Sequence, residues 1–147
     1  MDISRGFQIS APAIFVPWLA DEAEITRLLA GSGIKKVTTG YYTLECEPLV
    51  GLRCLLGFHL HTTGKFTELE FFRRSYDDLK GSFGDFQRHF ESAFGAPTYK
   101  VDGSFEYPAE VGSIGFPRSE WKLSGTRIVH YIFDRFGPEE HMRIQKI

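Results

Sequence analysis

Between Leu52 and His61 apolar and polar positions alternate most clearly. Leu52, Cys54, Leu56, Phe58 and Leu60 fall on one side of an extended chain, and Arg53, Leu55, Gly57, His59 and His61 on the other. This predicts a strand with one buried face. The β-branched and aromatic residues from Lys36 to Cys46 predict a strand before it, joined through a turn at Glu47 to Gly51. After a Thr63-Gly64 turn a third strand follows. Strict alternation there puts Phe66, Glu68, Glu70 and Phe72 on one side and Thr67, Leu69, Phe71 and Arg73 on the other.

The period then changes. Tyr76, Leu79, Phe83, Phe86, Phe90 and Phe94 recur at three- and four-residue steps, which predicts an amphipathic helix over about 75–95. Ser75 with Asp78 reads as a capping box and Gly95-Ala96-Pro97 as the stop, while Gly81 and Gly84 weaken the first half and make Ser82 a second candidate N-cap. A shorter helix over about 21–31 begins at Asp21, carries Glu22 and Glu24 in its first turn, and buries Ile25, Leu28 and Leu29. Ahead of it, Phe7 to Ser10 and Ala13 to Val16 read as short strands broken by Pro12 and Pro17.

Beyond the main helix the pattern returns to strands. Ser104 to Pro108 reads as a short strand and Ala109 to Ser119 as loop. Turn signals at Ser124-Gly125 and Gly137-Pro138 divide the remainder into three segments, and along the middle one Ile128, His130, Ile132 and Asp134 alternate with Val129, Tyr131, Phe133 and Arg135. Runs of strands with few crossover helices predict an α+β fold: a mainly antiparallel sheet of strand meanders with the main helix packed on one face. No repeat or linker divides the chain, so residues 1–147 are expected to form a single domain.

Composition narrows the function classes. A net charge of −2 gives no general attraction to nucleic acid or anionic lipid, and no basic segment leads into an apolar run near the N-terminus. A cytoplasmic protein without a membrane span is expected. Cys46 and Cys54 fall on neighbouring predicted strands and are expected to be reduced thiols, and no CxxC pair suggests zinc.

Candidate chemistry is sparse. His59 and His61 share a strand face, as in metal-binding HxH pairs, but a third ligand has to come from Glu68, Glu70, His130, Asp134 or His141 through an unknown strand order. Glu68 and Glu70 share a face as catalytic carboxylate pairs do, with Arg73 and Arg74 as nearby counter-charges. No GxSxG elbow and no phosphate loop is present. The simpler reading of each is a solvated sheet face, which leaves no cofactor expected. Trp121, flanked by charge and turn residues, serves either core or interface, and Asp134, Arg135, Glu139, Glu140, His141 and Arg143 surround a turn and suggest a charged network.

The arrangement LGFHLHTTGKFTELEFFRRSYDDL, FQRHFESAFGAPT, a tryptophan, and GTRIVHYIFDRFGPEEHMRI resembles small single-domain bacterial α+β proteins, some of which are immunity proteins for interbacterial toxins. The resemblance implies a non-enzymatic protein that binds and neutralises a cognate toxin. Local acidic pairs would then steer a basic partner, and the candidates are Glu45 with Glu47, Asp77 with Asp78, and Glu139 with Glu140, beside Trp121. The alternatives are a small metal-dependent or His-assisted enzyme built on His59 and His61, and a structural subunit of an assembly.

Overall fold

The computed structural model describes residues 1–105, 115–134 and 137–147. Its centre is an eight-stranded antiparallel sheet made of two four-stranded meanders. The first comprises β3 (Lys35–Thr38), β4 (Tyr41–Leu49), β5 (Leu52–Leu60) and β6 (Phe66–Phe72), and the second β7 (Tyr99–Val101), β8 (Arg118–Leu123), β9 (Thr126–Asp134) and β10 (Pro138–Lys146). The spatial order is β3-β4-β5-β6-β10-β9-β8-β7, so the last strand of each meander pairs at the centre. Helix α2 (Leu79–Phe94) links the two meanders, while the hairpin β1 (Gly6–Ile9) and β2 (Ile14–Pro17) and the short helix α1 (Glu22–Leu28) precede them. The α+β reading holds: a large antiparallel sheet with one main and one short helix.

Both helices and the hairpin use the same face of the sheet. Phe71 of β6 meets Phe7 edge-on at 5.6 Å and Phe90 of α2 at 4.9 Å, so the hairpin and the helix converge on one ring. Around it Leu44, Leu56, Phe58, Leu69, Ile128, Met142 and Ile144 are almost fully buried, as period-two alternation requires of one sheet face. Cys46 and Cys54 lie directly opposite each other on this face as free, buried thiols, and burial pushes the Cys46 thiol up to about 12. Among the described residues no helix is long and apolar enough to cross a membrane.

Several predicted details change for identifiable reasons. The stretch Lys36 to Cys46 is two strands, because Gly40 turns the chain at φ 72° with its Cα against the Leu60 carbonyl, where a Cβ would lie 2.6 Å from that oxygen. In β6 strict alternation fails. His59 pairs with Glu68 and Leu60 with Phe66, leaving an extra residue, Thr67, that turns Phe66 to the same face as Leu69 and Phe71. There Phe66 stacks on Trp18 at 4.8 Å, and burial of two large rings outweighs a regular ladder.

The main helix starts at Leu79 rather than near Ser75. Asp78 is the N-cap, accepting from the Gly81 N–H at 2.9 Å, while the Tyr76 hydroxyl accepts from the Arg73 N–H at 3.0 Å and holds the preceding residues in a turn. Asp21 caps α1 as predicted, accepting from the Glu24 N–H, but α1 ends at Leu28. Strand β7 was not anticipated, and β8 begins at Arg118 inside the stretch read as loop. Of the expected strand at 104–108, residues 106–108 lie outside the described residues, as do most of the expected loop and Arg135.

One polar cluster is sealed between α2 and the second meander. His130 is fully buried with Phe83 stacked on it at 3.8 Å, its Nε2 lying 2.9 Å from Glu140 and its Nδ1 2.7 Å from Gln87 Oε1. Gln87 donates its amide to Glu91, so its carbonyl oxygen faces His130 Nδ1. Glu140 also accepts from the Ser82 hydroxyl at 2.7 Å. Burial holds His130 below its ordinary value, with the bond to Glu140 acting the other way.

Because the unfolded chain takes up a proton near 6.5 that the folded His130 resists, stability is expected to be greatest above that pH and to fall as the pH drops below it. Urea midpoints at pH 7.5 and 5.5 measure the fall, and His130→Gln should diminish it. An unchanged difference in the variant would place the titration on another group.

Candidate binding face of the sheet

Residues that alternate with the core positions point to the other face, on which no described helix packs. Strand order turns them into rows. Tyr41, His59, Glu68, Gln145, Arg127 and Lys122 lie across β4, β5, β6, β10, β9 and β8, and the adjacent row runs Thr43, Gly57, Glu70, Arg143, Val129 and Glu120.

At the centre Arg143 bridges the two glutamates, 2.7 Å from Glu68 and 3.4 Å from Glu70. Gln145 donates to the other oxygen of Glu68 at 2.8 Å, and His59 Nε2 lies 3.0 Å from Glu70. The Tyr41 hydroxyl also donates to Glu70, at 3.2 Å, although strand β5 lies between them. Gly57 permits this: a Cβ there would sit 2.7 Å from the Tyr41 oxygen, so only a bare backbone lets the ring cross β5. Burial raises Glu70, but the bond from His59 and the charge of Arg143 outweigh it and hold the carboxyl below its usual range. Burial and the Glu70 charge together raise the Tyr41 phenol, which stays protonated as a donor.

The second meander repeats the scheme. Arg118 and Arg127 contact the two oxygens of Glu120 at 2.6 and 3.0 Å, and their bonds hold it below the usual carboxylate range against burial. The Arg118 guanidinium lies over Tyr131 at 4.9 Å, and Tyr131 stacks on His141 at 5.2 Å. Phe133, 48% exposed, ends this aromatic run. His141 is lowered by burial and by Arg143, and its Nε2 has no hydrogen-bond partner, Glu139 standing 3.7 Å away.

Toward the β3 edge the face opens into a cavity of about 740 Å³. Leu55 and Phe72 lie in its wall with Lys35, Arg53 and Arg74 around a single carboxylate, Glu45. Arg74 contacts Glu45 at 3.0 Å and keeps that carboxyl below its usual range.

These positions revise the sequence-based candidates. Trp121 is a core residue, 1% exposed, donating its indole N–H to the Gly95 carbonyl at 2.8 Å, because it alternates into the buried face of β8. Glu140 is likewise buried beside His130, whereas Glu139, one residue earlier, is exposed on the opposite face, so these two form no common patch. Glu47 accepts from the Gly51 N–H and shapes the β4–β5 turn, Asp78 caps α2, and Asp77 is exposed beside it. Glu45 faces two arginines, which makes its surroundings basic rather than acidic.

His61 lies past the end of β5 in an exposed turn, separated from His59's network. Among the described residues no three His, Cys, Asp or Glu side chains are grouped to hold a metal ion. The expected counter-charges also change: Arg73 pairs with Asp85 and Arg74 with Glu45, and Arg143 serves Glu68 and Glu70. Sequence reasoning placed Glu68 and Glu70 on one face but missed Arg143 as the cation they share, and Arg53 and Lys35 as cations around Glu45. Gly57 within β5 was the available signal for the crossing of Tyr41 to Glu70.

No family model, curated protein or solved structure matches the chain.

Removing Arg143 leaves two poorly solvated carboxylates without their shared cation. Arg143→Leu is expected to cost about 2–4 kcal/mol at pH 7. The deficit should narrow as the pH falls below the usual glutamate range and Glu70 protonates, which paired urea titrations of the two proteins would show.

Proposed function

We propose that the protein is a non-enzymatic binding module that docks a partner protein on the open sheet face, most specifically an immunity-type inhibitor of a cognate bacterial toxin. The carrying observation is the face itself: a rigid antiparallel lattice whose arginines, tyrosines and histidines are held in place by one another. Arg and Tyr are the residues that dominate binding hot spots, and side chains already ordered by neighbours lose less entropy on association. The resemblance of the sequence pattern to small single-domain bacterial α+β proteins, some of them immunity proteins, supports the inhibitor part of the reading.

A tagged protein is expected to retain one stoichiometric partner from host lysate. A folded Tyr131→Ser, Phe133→Ser variant should lose at least tenfold of it. Co-expression should restore growth of cells producing that partner. Equal retention by both proteins would remove the open face from the interaction, and unrestored growth would remove the inhibitor role.

A second reading has one observation behind it. His59, Glu70 and Tyr41 form a hydrogen-bonded acid–base group, the arrangement a His-assisted enzyme uses. Turnover by the purified protein that disappears in His59→Ala would place this reading first.

A further inference from the structure

We propose that the cavity between β3 and the end of β6 receives an acidic segment of the partner, its carboxylates on Arg53 and Arg74 and an adjacent apolar side chain on Leu55 and Phe72. The inference rests on the docking role of the open face and names the chemistry of what docks there.

Charge within the cavity carries the argument. Four cations line it, but Arg73 is already engaged: it lies 2.5 Å from Asp85, donates to Ser82 at 3.0 Å and covers the Phe86 ring at 4.7 Å. The other three, Lys35, Arg53 and Arg74, face one carboxylate, Glu45; three positive charges less one leave a local surplus of two. This surplus sits in a chain whose net charge is −2, so the cavity differs in sign from the molecule as a whole.

The donors are also open. The Arg53 guanidinium stands 3.9 Å from Glu45, beyond hydrogen-bond reach, and its side chain is 72% exposed. Arg74 spends one nitrogen on Glu45 and is 69% exposed. Planar guanidinium groups with free N–H pairs match the two oxygens of a carboxylate. Between them the wall is apolar, since Leu55 and Phe72 lie side by side on β5 and β6 as register partners. A volume of about 740 Å³ accommodates a few side chains of a peptide. A polyphosphate would leave the apolar wall uncovered, so an acidic peptide with an apolar residue fits better.

The test uses an acetylated, amidated Glu-Phe-Glu-Leu peptide titrated into the intact protein at low salt, followed by NMR. Shifts are expected in the Arg53 and Arg74 side-chain N–H signals and in the Leu55 and Phe72 amides. Arg53→Gln, Arg74→Gln should weaken binding at least tenfold, and Gln-Phe-Gln-Leu should give no shifts. Shifts with the neutral peptide, or tighter binding of inorganic polyphosphate at the same signals, would overturn the inference.

An Arg53→Glu, Arg74→Glu charge reversal in the lysate capture separates this inference from its premise. Loss of the partner that Tyr131→Ser, Phe133→Ser also loses supports both. Retention by the charge-reversed protein, with loss by the aromatic variant, sinks the cavity inference and leaves the docking face standing. Retention by both variants sinks the premise.

Discussion

Everything on both faces of this molecule depends on the antiparallel pairing of β6 with β10. That contact sets Glu70 opposite Arg143, Phe71 opposite Met142 and Leu69 opposite Ile144. Without it the chain holds two separate meanders, each with an unpaired edge at the position where the other now lies. With it, one continuous sheet presents a single apolar face long enough to seat the hairpin, both helices and the shared Phe71 cluster. The opposite face becomes equally continuous, and a cation from the last strand reaches two carboxylates more than seventy residues earlier.

The two faces treat charge differently. Under α2, His130 and Glu140 are sealed from water, so each requires hydrogen-bonding partners, and Gln87 and Ser82 supply them. On the open face the cations are partly exposed, so solvent shares the work of stabilising them, while Glu68 is buried beside Arg143 and Gln145. Their mutual bonds also fix each long side chain in one position. A surface ordered in this way is suited to receiving a partner. At the β3 edge the neutralisation is incomplete, and the surplus of positive charge lies against an apolar wall.

The extended face of β5, the helical stripe from Phe83 to Phe94 and the Asp21 cap were legible in the sequence because each is a local pattern of period two or 3.6. So was the shared face of Glu68 and Glu70, since the extra residue at Thr67 lies before both. Phe66 was misassigned for the same cause: a bulge is a response to distant packing, here against Trp18 and Phe58, and leaves no mark in the alternation. Trp121 was ambiguous because its flanking charges belong to the other face of β8.

By itself the sequence determined the class of fold, the main elements and the absence of a recognised nucleophile or phosphate motif, since these follow from neighbours a few residues apart. Only the tertiary structure decided which strand lies beside which. That choice joined Arg143 to Glu68 and Glu70, carried Tyr41 across Gly57, buried Glu140 beside His130 and gathered Lys35, Arg53 and Arg74 around one carboxylate. The reason is physical: strand order is set by how whole apolar faces bury against one another, a sum over the chain that no short stretch encodes.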